Sequence, residues 1–363
     1  MIKVKPAKEI LLIGTSDTNP RNGEGSFIKL LNGNIMFGYT EFSGNDSCDD
    51  DAHAQIVAIT SADGGNTWGN KRVLFTKPDG SQNIMSLSFL RMHNGDLGAF
   101  YILKHADGAD SIMLTRSTDD GNSWSEPIDC TAPLPYDYYI LNNDRVKILP
   151  SGRLLLPLAR HTIHTPHGGF VPGEICFAYS DDDGFTWQES PAVLQCPFET
   201  IDGYEEPGVH ILPDGRLWCY IRTNMGYQFE CFSADEGVTW TVPKPNLFFS
   251  SPCSPMHVKP FNDLTLVIFN PESEHVLRGW ENTDLWGRTP YTIAISTDGG
   301  LTFNEDNIFY LEDDRKNGYC YPALLDCGDY CLIAYYHSNN SGVCLNSTKI
   351  VRIDYDDIKS LLK

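Results

Sequence analysis

SADGGNTW, residues 61–68, returns as STDDGNSW at 117–124, SDDDGFTW at 180–187, SADEGVTW at 233–240 and STDGGLTF at 296–303. All five fit one pattern, Ser-x-Asp-x-Gly-x-Thr/Ser-Trp/Phe. Their starts lie 56, 63, 53 and 63 residues apart, and self-similarity at such an interval is the mark of a repeat architecture. Each interval holds one four-stranded sheet with its loops, which is the size of a propeller blade.

The pattern has a physical logic as a turn. Asp63 and its equivalents can accept backbone N–H bonds across the turn, Gly65 supplies a backbone angle other residues resist, and Trp68 can cover the turn by packing between sheets. Five near-identical copies around a ring cannot all line one site, so these carboxylates are expected to be structural.

Between the boxes runs a second, weaker repeat, an apolar strand, a tight turn and another apolar strand. It reads FIKLLNGNIMFGYT (27–40), LSFLRMHNGDLGAFYI (87–102), RVKILPSGRLLLPLA (145–159), VHILPDGRLWCYIR (209–222), HVKPFNDLTLVIFN (257–270) and ALLDCGDYCLIAYY (323–336). Hairpins of this kind are the unit of an all-β fold. Six of them against five boxes predict a six-bladed β-propeller whose last blade begins near Tyr319 and carries no box. Ring closure then needs one more strand, for which Glu9–Gly14 is the candidate. The one helix-period stretch is the tail Tyr355–Leu362, and no linker divides the chain, so residues 1–363 read as a single domain.

Composition narrows the partners. A net charge of −21 argues against nucleic acid and anionic membrane, which need clustered Lys and Arg, while screening leaves local arginines free to dominate a pocket. The apolar run Ile10–Ile13 is shorter than a signal peptide's, and no run reaches a membrane span, so a soluble cytoplasmic protein is expected. Eleven cysteines without a CxxC pair signal neither zinc nor a disulfide framework; most are expected to be buried thiols. No cofactor or metal is implied, and the oligomeric state is left open.

Beyond the boxes, the chain resembles the sialidase (exo-neuraminidase) glycoside hydrolase family across nearly its whole length. In YEEPGVHILPDGRLWCYIR (204–222), Glu206 lies nine residues before Gly215 and Arg222 seven after it. The resemblance gives Glu206 the role of polarising a nucleophilic tyrosine and Arg222 that of binding the substrate carboxylate. Glu205 leaves the register open by one. In GRTPYTIAISTDGG (287–300), Arg288 stands eight residues before the box serine Ser296, as a second carboxylate-binding arginine does in the family. NGYCYPALLDCGD (317–329) is similar to the segment that supplies the family's nucleophile. Tyr319 lies nine residues before Gly328, the offset Glu206 has from its own hairpin glycine, and Tyr321, on the same strand face, is the fallback.

A tyrosine paired with a glutamate suits an anionic sugar, because a neutral phenol deprotonated in place avoids repulsion from the substrate's carboxylate. The resemblance places the acid before the first box, where DSCDDDAH (46–53) offers Asp49, Asp50 and Asp51. A solvated acidic loop is the plainer alternative.

The sequence departs from the family at the first arginine. Ten residues before Gly33, where the family's Arg-Ile-Pro would begin, stands Gly23, in NPRNGEGSF (19–27), with Arg21 and Glu24 beside it. NNDRV (142–146), with Asp144 and Arg145, and ARHTIHTPH (159–167), with Arg160, His161, His164 and His167, are further candidates to line or cover the site. The histidines sit in a Gly/Pro loop without the pattern of a metal site.

The leading expectation is an exo-glycosidase acting on a terminal acidic sugar, sialic acid or a relative, within an acidic glycan. A sialidase-like propeller retuned to another acidic glycan, by hydrolysis or β-elimination, is the second. A catalytically silent carbohydrate-binding propeller is the third, and the Tyr, Glu and two Arg together speak against it.

Overall fold

The computed structural model describes residues 7–44, 49–163, 171–197, 200, 202–271 and 285–363. Its 25 strands run in chain order as β1 (Lys8–Ile13), β2 (Asn22–Lys29), β3 (Ile35–Phe42), β4 (Ala54–Ser61), β5 (Gly69–Thr76), β6 (Ser81–Arg91), β7 (Leu97–His105), β8 (Asp110–Ser117) and β9 (Ile128–Asp129). They continue as β10 (Tyr138–Ile140), β11 (Lys147–Ile148), β12 (Leu154–His161), β13 (Glu174–Ser180), β14 (Gln188–Glu189), β15 (Glu205–Ile211), β16 (Leu217–Arg222), β17 (Tyr227–Ser233) and β18 (Lys244–Ser250). The last are β19 (His257–Phe261), β20 (Leu264–Phe269), β21 (Tyr291–Ser296), β22 (Ile308–Glu312), β23 (Tyr319–Asp326), β24 (Tyr330–His337) and β25 (Ser347–Asp354), before helix α1 (Tyr355–Leu361).

These strands form six antiparallel sheets, β2–β5, β6–β9, β10–β14, β15–β18, β19–β22, and β23–β25 with β1. The six-bladed propeller is therefore the fold. In the last sheet β1 pairs with β25, Leu12 opposite Lys349.

The boxes connect the third and fourth strands of the first five blades, and their hydrogen bonds account for the repeated residues. In the first, Ser61 Oγ donates to Asp63 Oδ1 at 2.8 Å and accepts from Gly65 N at 2.8 Å. Thr67 donates its hydroxyl to Asp63 Oδ2 at 2.6 Å, and Trp68 Nε1 donates to Gly65 O at 3.0 Å. Gly65 holds a φ of +85°, open to glycine at little cost. The box tryptophan then seals the gap between blades: Trp240 stacks on Phe177 of the preceding blade with centroids 4.6 Å apart.

Strand register fixes which end of the ring does which job. In the fourth blade Ile211 lies opposite Leu217, and Leu217 opposite Ser233, the first box residue. Glu205 pairs with Arg222 at the other end. Boxes and Glu205–Glu206 thus lie at opposite ends of the blade.

Ten of the eleven cysteines are described, all as free thiols, seven of them buried. Among the described residues no helix is long and apolar enough to cross a membrane.

Candidate active site

Four of the six innermost strands carry the same backbone irregularity. Pairing slips between Gly23 and Ser26, Met85 and Ser88, Glu205 and Gly208, and Cys320 and Ala323. Within each slip, two residues before the register resumes, stands a residue with left-handed φ: Glu24 at 53°, Ser86 at 59°, Glu206 at 41° and Tyr321 at 54°. Bulges re-aim side chains, and left-handed backbone in non-glycine residues persists only where the surroundings enforce it. All four residues line one pocket, together with Asp50, Lys104, Asp110 and Tyr138.

At the centre of the pocket Tyr321 donates its hydroxyl to Glu206 Oε1 at 2.6 Å. Burial, then the neighbouring Glu206 charge, raises the phenol well above its ordinary pKa, so the hydroxyl is neutral until something draws its proton away. Arg222 Nη1 is 2.7 Å from Glu206 Oε2 and donates to the Tyr321 hydroxyl at 3.3 Å, while its Nε reaches Cys253 Sγ at 3.2 Å.

Arg288, only 3% exposed, approaches from the fifth blade. It donates to Cys320 Sγ and to the Cys253 carbonyl, each at 3.3 Å, and among the described residues its Nε has no hydrogen-bond partner. Its guanidinium lies 5.5 Å from the Tyr321 ring centroid and 4.8 Å from that of Trp286. Among the described residues no carboxylate pairs with it. A buried guanidinium left without a counter-ion is an anion-binding feature.

The first blade brings a further arginine, Arg21, against two carboxyl groups of the pocket. A Cβ at Gly23 would lie 2.0 Å from Tyr336 Cζ, so the tyrosine ring occupies the space a side chain there would need. Arg21, two residues earlier, donates through Nε to the Tyr336 hydroxyl at 2.8 Å, through Nη1 to Asp50 Oδ1 at 2.6 Å and through Nη2 to Glu24 Oε1 at 2.6 Å.

Of the three acidic-loop candidates, Asp50 alone pairs with Arg21. Its place in the pocket works against ionisation, but Arg21, with Lys104 and Arg222 farther off, outweighs that and lowers its pKa. Asp51 is turned outward onto Lys104 at 3.1 Å, and Asp49 is exposed. Burial pushes Glu24 up to about 7 against the pull of Arg21, with Asp50 and Glu206 adding to the rise. Burial likewise lifts Asp110 to about 8 against the pull of Lys104.

Several expectations are corrected. Tyr319 does not meet Glu206: its hydroxyl donates to the Asp314 carbonyl at 3.2 Å, and its ring packs among Tyr291, Tyr335 and His337. The cause is a turn. In the first, second and fourth blades five residues separate the paired hairpin strands, as in Ile211 opposite Leu217, but in the sixth only four do, Asp326 opposite Cys331. Gly328 falls second in that shorter turn rather than fourth, so counting back from the glycine overshoots the bulge by two residues.

Asp144 and Arg145 are spent within the ring rather than offered to the pocket. Asp144 Oδ1 accepts from Lys259 at 2.8 Å, and Oδ2 from Leu324 N at 3.1 Å. Arg145 donates to the backbone carbonyls of Glu206 at 3.2 Å and Met256 at 2.5 Å, so it holds the Glu206 bulge from beneath. Arg160 does not line the pocket; it is paired with Glu174, and with Glu189 at 3.5 Å. His161 lies 3.0 Å from Glu205, and of the two neighbouring glutamates it is Glu206 that meets Tyr321. Asp46, Cys48, His164 and His167 lie outside the described residues.

The sequence reading missed Tyr336, Cys253, Lys104, Asp110 and Tyr138. No local pattern marks them: Lys104, Asp110 and Tyr138 line the pocket from neighbouring blades, and Tyr336 and Cys253 accept hydrogen bonds from Arg21 and Arg222.

Comparison with known proteins agrees with the six-bladed fold. The sequence matches the BNR repeat-like domain over residues 40–337. It is 25% identical over 333 residues to a sialidase of Bacteroides fragilis, covering 81% of this chain and 56% of that one. It is 26% identical over 235 residues to an anhydrosialidase of the leech Macrobdella decora, covering 60% and 28%. The chain thus spans little more than half the first relative's length and less of the second's. Among solved structures it superposes on Trypanosoma rangeli sialidase, bound to 2,3-difluorosialic acid as a covalent intermediate, with a TM-score of 0.73 at 13% identity, covering 99% of this chain and 61% of that one. With the intramolecular trans-sialidase of Ruminococcus gnavus, bound to oseltamivir carboxylate, the TM-score is 0.72 at 14% identity, covering 96% and 98%.

Proposed function

The chain belongs to the BNR repeat-like domain family, and from that premise we propose that it is a retaining exo-glycosidase that removes a terminal acidic sugar, sialic acid or a related keto-sugar, from a glycan. The observation that carries the reading is the 2.6 Å hydrogen bond from Tyr321 to Glu206 beside an arginine, Arg288, that has no carboxylate partner among the described residues. A binding protein has no use for a nucleophile held against its base.

In this reading Arg222 and Arg288 hold the sugar's carboxylate, each charged hydrogen bond contributing about 1.5–3 kcal/mol. Tyr321 Oη attacks the anomeric carbon as its proton passes to Glu206 Oε1, the bond to the leaving oxygen breaks, and that oxygen takes a proton from a pocket acid. Water then displaces Tyr321, giving one proton to the conjugate base of the pocket acid, and the proton on Glu206 returns to the phenol. Of the described acid-loop residues Asp50 alone lines the pocket, and it must be protonated against the pull of Arg21 before it can serve as that acid.

A second reading, an acidic glycan other than the usual sialyl ones, is favoured by Tyr336 filling the space beside Gly23 and by Glu24 lining the pocket. Product analysis by mass spectrometry on a panel of acidic glycosides tests both. Release of a free acidic monosaccharide supports hydrolysis, an unsaturated product supports elimination, and no product from any glycoside overturns the enzymatic reading.

A further inference from the structure

Among the described residues the charges at the base of the pocket balance before any ligand arrives. Three guanidinium groups, Arg21, Arg222 and Arg288, face three carboxyl groups, Glu24, Asp50 and Glu206, while Lys104 is paired with Asp51 at 3.1 Å and burial lifts Asp110 to about 8. Arg21 serves two of them at 2.6 Å each and Arg222 serves the third at 2.7 Å. An acidic sugar brings a fourth carboxylate into a space lined by the buried side chains of Glu24 and Glu206. Four negative charges against three positive ones in such a space is costly, and a buried carboxyl answers by binding a proton.

The geometry singles out which carboxyl does so. Asp50 has half its side chain exposed and Lys104 close enough to favour its charge. Glu206 is committed to Arg222 and to the Tyr321 hydroxyl. Glu24 is 5% exposed and must share Arg21 with Asp50. Its Oε1 takes both of its donors, Arg21 at 2.6 Å and the Tyr336 hydroxyl at 3.4 Å. Among the described residues Oε2 has no hydrogen-bond partner, on a side chain that lines the pocket.

We propose that Glu24 takes up one proton from solvent when an acidic sugar docks, changing from an anion that repels the ligand's carboxylate into a hydrogen-bond donor facing it. The inference rests on the acidic-sugar reading above and adds the group that sets its pH range. Burial has already brought Glu24 to about 7 in the free protein, so a further negative charge moves its titration into the alkaline range. Binding then weakens as pH rises, because the proton must be drawn from a scarcer supply.

Other titrating groups surround Glu24. Arg21 and Asp50 stand in its own blade, Glu206 and Arg222 in the fourth, and Tyr321 and Tyr336 in the sixth. Lys104 and Asp110 lie across the pocket in the second. Cys344 lies near Arg21 and Arg288, and its hydrogen bond with Cys320 brings it to about 7. Asp110 and Cys344 titrate in the same range as Glu24, so the difference between wild type and Glu24→Gln isolates the residue.

The test is isothermal titration calorimetry with sialic acid and with glucuronic acid, each in two buffers of different ionisation heat. Wild type is expected to take up about one proton per sugar near pH 8, with affinity falling about tenfold per pH unit above it. Glu24→Gln, confirmed folded by its thermal melt, is expected to lose that uptake and to bind with a flat pH profile over the same interval. Binding by wild type without proton uptake, or full uptake retained in Glu24→Gln, overturns the inference while leaving the acidic-sugar reading intact. Failure of wild type to bind either sugar overturns that reading and this inference with it.

Discussion

Tyr321 and Glu206 stand 115 positions apart in sequence and share a 2.6 Å hydrogen bond, each delivered by a left-handed bulge residue on the innermost strand of its blade. Tyr319, two residues before Tyr321 on the same strand, faces a different neighbourhood. Tyr321→Phe is therefore expected to lower turnover of a cleavable acidic glycoside by about 10³-fold or more. Tyr319→Phe, losing one hydrogen bond to the Asp314 carbonyl, is expected to cost about 1 kcal/mol of stability and to leave turnover near wild type. Steady-state kinetics and denaturant unfolding of both variants check this pair, and the reverse pattern would contradict the assignment.

Arg288 gives the substrate's charge a direct test. Arg288→Ala should weaken binding of an acidic sugar by roughly 10- to 100-fold and leave a neutral methyl ester of that sugar nearly unaffected. Equal losses for acid and ester, measured by calorimetry, would mean that the arginine is structural.

Gly23→Ala should be more damaging than its size suggests. The added methyl would stand 2.0 Å from the Tyr336 ring, and moving that ring also moves the hydroxyl that receives Arg21. A loss of about 1–3 kcal/mol in unfolding free energy together with weakened acidic-sugar binding is expected. Full stability and full binding would show that Tyr336 yields without consequence.

The boxes should respond to acid independently of the site. Side-chain and backbone bonds from Thr67, joined by Ser61, hold the Asp63 carboxyl down at about 2, against a usual 3.8. A depressed carboxylate stabilises the fold above its unfolded pKa and loses that contribution as pH falls through the folded one. Asp63→Asn should therefore melt below wild type at pH 7, with the gap closing between about pH 4 and pH 2, and without change in substrate affinity at pH 7. Thermal melts across that range check it.

How much of this was legible in the sequence depends on how local each feature is. The five boxes close their own hydrogen bonds within a few residues, so SADGGNTW and its copies announce the blades before any packing is known. Glu206, Arg222 and Arg288 sit at fixed offsets from such turns, where the resemblance to the sialidase family expects them. Tyr321 was found only as a fallback, because the turn from Cys327 to Tyr330 is one residue shorter than its counterparts. The four bulges read Glu-Gly-Ser, Ser-Leu-Ser, Glu-Pro-Gly and Tyr-Pro-Ala from the left-handed residue onward, which share no signature. The contact between Arg21 and Tyr336 spans 315 positions and depends on a glycine whose only sequence mark is a missing arginine.

On the proposed function Tyr321 forms a covalent bond with an acidic sugar. The decisive measurement is to incubate the protein with 2,3-difluorosialic acid, digest it and sequence the labelled peptide by mass spectrometry. A glycosyl adduct on Tyr321, absent from Tyr321→Phe, is expected. An adduct on Tyr319 or on a carboxylate, or steady release of an acidic sugar from a sialoside by a protein that never labels at Tyr321, would contradict it.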